Sequence, residues 1–187
     1  MVAIISGNQL GLLNTSAGTL GQQGVFGTAA QGNTKEKVYV NVANGNLVLQ
    51  DRDDFVISRG TDVGLTRTYN SQAQINEGNG LQWKLGLLKQ VADLIGNVDT
   101  VGSTVKRIDG DGGVALFRYD ANRAAYVSTD GGGAYQSLTF DHANQQWIWR
   151  ADHRDTLGQI DTYDRTGRIL SAADSNGQDG GNGFKLS

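Results

Sequence analysis

The chain has 187 residues, 16 Lys and Arg against 19 Asp and Glu, and a formal net charge of −3, a size sufficient for one domain with a real core. The mild acidity, with no basic stripe, argues against nucleic acid as a partner, because phosphate binding needs clustered Lys and Arg. Cysteine is absent, which excludes a disulfide framework and a thiolate metal site, and no run of about 20 apolar residues is present to span a membrane.

Residues 1–34 carry no charged side chain; Gly, Ala, Thr, Asn and Gln interrupt short apolar pieces. Met1 to Ile5 is apolar but lacks the basic start and the length of a signal peptide, so any export would use another route. Such a leader either stays solvated or packs, and packing is the expectation, as a strand or plug in its own sheet or as a strand added to a neighbour's.

Residues 35–95 open with a hairpin signal. Val38, Val40 and Val42 alternate with Tyr39, Asn41 and Ala43; Asn44-Gly45 follows; Leu47 and Leu49 then alternate with Asn46, Val48 and Gln50. Asn-Gly between alternating runs predicts a two-residue turn that pairs Val42 with Leu47 and Val40 with Leu49 on a buried face. Residues 55–58 and 63–69 read as further strands. Asp51, Asp53 and Asp54 read as a solvated strand end, with paired carboxylates for sugar hydrolysis as the minor alternative. Residues 85–95 fit a helical stripe or a strand from Leu85 to about Val91, and the strand is preferred.

Residues 96–187 read as short strands between Gly and Asp turns, at 104–108, 114–119, 125–128, 136–140, 146–150, 159–163 and 168–172. The chain contains 27 Gly and no Pro, so its turns rely on Gly, Asn and Asp. Without Pro, every strand stays open to pairing along its length.

Three aromatic–Asp pairs recur in this last region: Tyr119-Asp120, Phe140-Asp141 and Tyr163-Asp164, 21 and then 23 positions apart. A period of about 20 residues indicates one supersecondary unit used repeatedly. In the third unit Asp164 to Gly167 has the spacing of a type I turn, with Asp at its first position and Gly at its fourth. The Asp carboxylate then accepts backbone N–H groups of the turn it opens. Asn144 and Arg123 occupy the Gly position in the other two units. Tyr119, Phe140 and Tyr163 are expected to stack in register between neighbouring units.

These residues carry a family resemblance. Tyr163-Asp164-Arg165-Thr166-Gly167-Arg168-Ile169 resembles the YD repeat of Rhs proteins, insecticidal toxin-complex shells and teneurins. Upstream, Val40-Asn41-Val42-Ala43-Asn44-Gly45-Asn46-Leu47-Val48-Leu49, Leu65-Thr66-Arg67-Thr68-Tyr69-Asn70-Ser71 and Leu81-Gln82-Trp83-Lys84-Leu85-Gly86 are similar to segments that open Rhs cores, and Asp109-Gly110-Asp111-Gly112-Gly113-Val114 with Phe117-Arg118-Tyr119-Asp120 continues the pattern. The resemblance implies a β-sheet coiled into a shell, often around a toxin. A closed shell in that family takes many more repeats than this chain contains, and no toxin domain follows.

Other chemistry is sparse. Asp109 to Gly113 and Asp174 to Gly181 look like calcium loops, but the distal Glu of the EF-hand pattern is missing, so turns are expected and calcium is the alternative. His142 and His153 have no acid at helical spacing and read as surface residues. No Gly-x-Ser-x-Gly elbow, P-loop or dinucleotide fingerprint occurs. Trp147 and Trp149 share a strand face and read as core, with an exposed glycan-stacking platform as the alternative.

The expectation is therefore an all-β chain with little or no helix, a curved antiparallel sheet of short strands and hairpins. Its expected role is non-enzymatic and cofactor-free: head-to-tail self-assembly by strand-edge pairing into a fibre or shell, secreted or at a bacterial-type cell surface. The alternatives are the amino-terminal shell segment of a longer Rhs-type toxin and a carbohydrate-binding adhesin.

Overall fold

The computed structural model describes residues 3–5, 30–31, 37–41, 45–56, 63–72, 82–110, 112–128, 135–151, 158–173 and 183–185. Across these the chain is all β. In order the strands are β1 Ala3–Ile5, β2 Ala30–Gln31, β3 Lys37–Asn41, β4 Asn46–Val56, β5 Val63–Asn70, β6 Trp83–Leu85, β7 Gln90–Ile95, β8 Thr104–Ile108, β9 Val114–Asp120, β10 Ala125–Ser128, β11 Ser137–Asp141, β12 Gln146–Arg150, β13 Ile160–Tyr163, β14 Ile169–Ala173 and β15 Gly183–Lys185. They form a six-stranded sheet, β1-β3-β4-β5-β6 with β2 also on β3, and a nine-stranded sheet running β15 to β7 in unbroken sequence order. Every pairing whose register is described is antiparallel except for β1 on β3, and one sheet curls strongly into a half-barrel.

The chain divides into two compact units. The first comprises Met1–Phe55, Gly64–Leu88 and Asp109–Val114; the second comprises Val56–Val63, Lys89–Ile108 and Ala115–Ser187.

In the first unit the expected hairpin forms in a different register. Val40 pairs with Leu47, Val38 with Leu49 and Asn41 with Asn46. The expected pairing of Val42 with Leu47 is thus corrected by two positions; Gly45 has φ +72°, and Val42, Ala43 and Asn44 lie outside the described residues. Asn46 explains the choice. It is fully buried, and its Oδ1 accepts the Ser71 hydroxyl (2.9 Å) and the Gln72 amide (3.1 Å). A buried carboxamide must keep such partners. The most buried face accordingly carries Tyr39, Val48 and Asn46, and the Val38, Val40, Leu47 and Leu49 face is half-buried. Burial raises the Tyr39 phenol above its ordinary pKa.

Two further expectations change. β4 is one 11-residue strand, so Asp51, Asp53 and Asp54 lie within it and not at its end. Asp51 and Asp53 pair with Arg67 of β5, at 3.5 and 2.5 Å; the Asp53 hydrogen bond and charge raise the Arg67 pKa. Residues 85–91 are not one strand. The Gly86 amide bonds the Thr66 carbonyl at 2.7 Å, Leu88 N then closes a turn on Leu85 O, and β7 starts anew at Gln90.

The second unit holds the larger core. Alternation places Val105, Phe117, Leu138, Trp147 and Trp149 inward from β8, β9, β11 and β12, with Tyr126, Tyr163 and Ile169. Each such side chain contributes roughly 1.5–3 kcal/mol on full burial. The sheet's first strand also reaches its seventh-to-eighth turn: Val91 N donates to Gly167 O at 2.8 Å, and Gln90 bridges Arg168. Only a curled sheet can bring β7 onto the β13–β14 turn.

Candidate functional site

Three features of the second unit carry its polar and aromatic organisation: the aromatic–Asp hairpins, an aromatic row, and a buried ionic cluster.

Each repeat Asp opens a turn as expected. Asp120 Oδ1 accepts the Asn122 amide at 2.9 Å. Asp141 Oδ1 accepts the amides of Ala143 (2.9 Å) and Asn144 (3.2 Å), and Oδ2 accepts the Asn144 side chain (2.8 Å). Asp164 Oδ1 accepts the Thr166 amide (2.8 Å) and hydroxyl (2.6 Å) and the Arg168 amide (3.0 Å). The Asn144 bonds hold the Asp141 carboxyl below its usual range. For Asp164, burial pushes upward, but the Thr166 and Arg168 bonds together outweigh it and the net shift is down.

The left-handed residue differs among the three turns. It is Gly167 (φ +87°) in the third, three positions after the Asp, but Ala124 (+48°) and Gln145 (+55°) in the first two, four positions after. Arg123 and Asn144 therefore do not occupy the glycine position. The loops connecting Asp120 to Ala125 and Asp141 to Gln146 are built differently from the third.

Among the described ring contacts, Tyr119 and Phe140 are joined through other rings and not to each other. Tyr119 faces Tyr126 across β9–β10 (centroids 5.2 Å), Tyr126 contacts Trp147 (5.5 Å), and Trp147 contacts Phe140 (4.9 Å) and lies opposite Tyr163 in the ladder. Tyr126 and Trp147, which belong to no repeat pair, are the connectors. Edge-to-face geometry of this kind stabilises beyond simple burial. Trp147 and Trp149 are 3% and 5% exposed, which overturns the exposed stacking platform: both inward positions of β12 face the core.

The buried cluster centres on Asp161, which is fully buried. Its Oδ2 accepts Arg107 Nη2 at 2.7 Å, Lys89 Nζ at 2.9 Å and Tyr163 OH at 3.3 Å; its Oδ1 accepts Gln159 Nε2 at 3.0 Å. Arg107 Nε also donates to Tyr163 OH at 2.9 Å, and its guanidinium lies 3.8 Å over the Trp149 ring. A carboxylate taken out of water needs such a complement of donors. The cluster joins Arg107 of β8 and Lys89, just before β7, to Asp161 of β13, and so ties strands far apart in the sheet order together.

Sequence reasoning missed this cluster. A signal existed: Asp161 stands two residues before Tyr163 and Arg107 two after Val105, so both fall on the inward period of their strands.

The remaining candidates are placed as follows. The Asp109–Gly113 turn closes through Asp109 N to Gly113 O (2.8 Å) and Gly112 N to Asp109 O (3.0 Å), while the Asp174–Gly181 segment and His153 lie outside the described residues. His142 Nε2 lies 2.8 Å from Asp99 Oδ2 at the surface. Among the described residues no helix is long and apolar enough to cross a membrane.

A family model described as a domain of unknown function (DUF6531) matches residues 38–126, from β3 into β10 and a little under half of the chain. The match covers the opening hairpins and the first aromatic–Asp pair; the second and third pairs follow it. No curated protein and no solved structure matches the chain.

Proposed function

We propose that the chain is a structural, non-enzymatic β module of the Rhs/YD-repeat kind. It is secreted or surface-displayed and builds an extracellular fibre or shell by pairing strand edges with further copies. The observation that supports this most is the unlike character of the two ends of the nine-stranded sheet. At one end β7 is occupied by the β13–β14 turn through Val91 and Gly167. At the other, β15 is the outermost strand of a meander that grows one strand at a time in chain order. An outer strand is a template for another, and no Pro in the chain blocks it. The added strand comes from a neighbour, head to tail, and such contacts give filaments unless they close.

Light scattering and electron microscopy of the purified chain test this. Ordered assemblies are expected, and Lys185→Pro in β15 should reduce them to monomers. A stable monomer at high concentration rejects self-assembly.

The strict chain order of β7 to β15 also favours a second reading, in which the next strand belongs to the same polypeptide and the chain opens the shell of a longer Rhs-type toxin. Expression together with the sequence encoded downstream would then protect the outward amides of β15 from hydrogen exchange without changing subunit number.

A further inference from the structure

Beside the third hairpin, within the second unit, lies a cavity of about 410 Å³. Its size falls in the range of small-molecule sites. Val98, Val105, Phe140 and Trp147 give it an apolar, aromatic floor. Phe140 and Trp147 meet at 4.9 Å and 64°, an arrangement that a third ring can extend edge to face.

Three charged or titratable side chains line the cavity: Asp93, His142 and Arg165. Two are already matched, Asp93 by Lys106 at 2.8 Å and His142 by Asp99 at 2.8 Å. Arg165 is exposed on the β13–β14 turn, and its side chain makes no hydrogen bond or ion pair among the described residues. That turn is held at both ends, by the Asp164 bonds to Thr166 and Arg168 and by the Val91–Gly167 bond. The guanidinium is thus presented from a fixed backbone at the margin of a half-open pocket with an apolar floor. Its planar fork suits a carboxylate, and an occupant without negative charge would leave it unmatched.

We infer that this cavity binds a small aromatic carboxylate, with its ring against the half-buried Phe140 and its carboxylate accepting hydrogen bonds from Arg165. The site is independent of strand-edge pairing and goes beyond the structural role.

The test is a ¹H–¹⁵N NMR titration of the whole chain with phenylacetate, with phenylacetamide as the neutral counterpart and acetate as the head group alone. Saturable shifts are expected at the amides of Val98, Gln145 and Gly167. Phenylacetate should bind at least about tenfold more tightly than either control, the scale of one charge-assisted pair. Arg165→Gln should abolish that preference, and Arg123→Gln, on the corresponding turn of the first hairpin, should leave it intact. Comparison with a short peptide ending in Phe separates the sources: tighter binding of the peptide assigns the carboxylate to a chain terminus, weaker binding to a free acid. Absence of saturable shifts, equal affinity for acid and amide, or wild-type preference in Arg165→Gln would overturn the assignment.

Discussion

The third aromatic–Asp hairpin and the first two share a motif and differ in what surrounds it. In all three an Asp carboxylate accepts the amides of the turn that it opens. In the first two the turn residues Ala121 to Ala124 and His142 to Gln145 are exposed. In the third, Gly167 is buried, and a Cβ there would stand 1.7 Å from the Val91 carbonyl oxygen. The strands differ in parallel. Two positions before the repeat aromatic stand Phe117 and Leu138 in the first two units, fully buried and apolar, but Asp161 in the third. The same local chemistry thus makes a free corner twice and a docked one once, and the docked one carries the glycine and the buried charge.

Asp161→Leu makes the third unit like the others and gives the largest expected effect. It leaves Arg107 and Lys89 without their carboxylate and should cost about 3–5 kcal/mol in denaturant unfolding. Adding Arg107→Leu and Lys89→Met should recover much of that loss. If Asp161→Leu alone were neutral, the cluster would not tie these strands together. Next is Gly167→Ala, expected to cost about 3 kcal/mol, or about 10 °C in Tm, because the left-handed backbone and the Val91 oxygen both oppose a side chain. Ala124→Gly at the left-handed position of the first turn should act with opposite sign, stabilising by about 0.5–1 kcal/mol. If both glycine exchanges shift Tm in the same direction, the distinction between docked and free turns fails.

Acid gives the smallest effect. Asp141 and Asp164 have folded-state pKa values below their ordinary ones. Their contribution is therefore present above the ordinary Asp value, about pH 4, and is lost as pH falls through the lower folded values. Tm should decline below about pH 4, and Asp164→Asn should lower Tm at neutral pH while flattening that decline.

Much of the second unit is legible in the sequence, because its hairpins are local. β8, β10 and β12 fall at the expected residues, and β9, β11, β13 and β14 within one residue at either end. Alternation and Asp or Gly turns act over a few positions, and those are the signals that a chain displays directly. What escaped depends on distance. The β3–β4 register is set by Asn46 meeting Ser71, 25 positions away. The connector role of Trp147 depends on which strand lies opposite. The Asp161 cluster joins residues 72 and 54 positions apart, and no local pattern states that Arg107 and Asp161 will meet. Turn geometry gave a subtler miss: the Asp was read correctly, but the left-handed residue moved one place in the two free turns, where no packing demands glycine.

The bond between Val91 and Gly167 has a kinetic consequence. Nearly every contact along the meander is made between neighbours in sequence, and such contacts close quickly. The contacts that draw β7 onto the β13–β14 turn span most of the unit and cannot form until the intervening strands are paired. Folding should therefore proceed as rapid assembly of an open ribbon followed by one slower, concerted closure. The Val91 amide should be among the last to gain protection in pulse-labelled refolding.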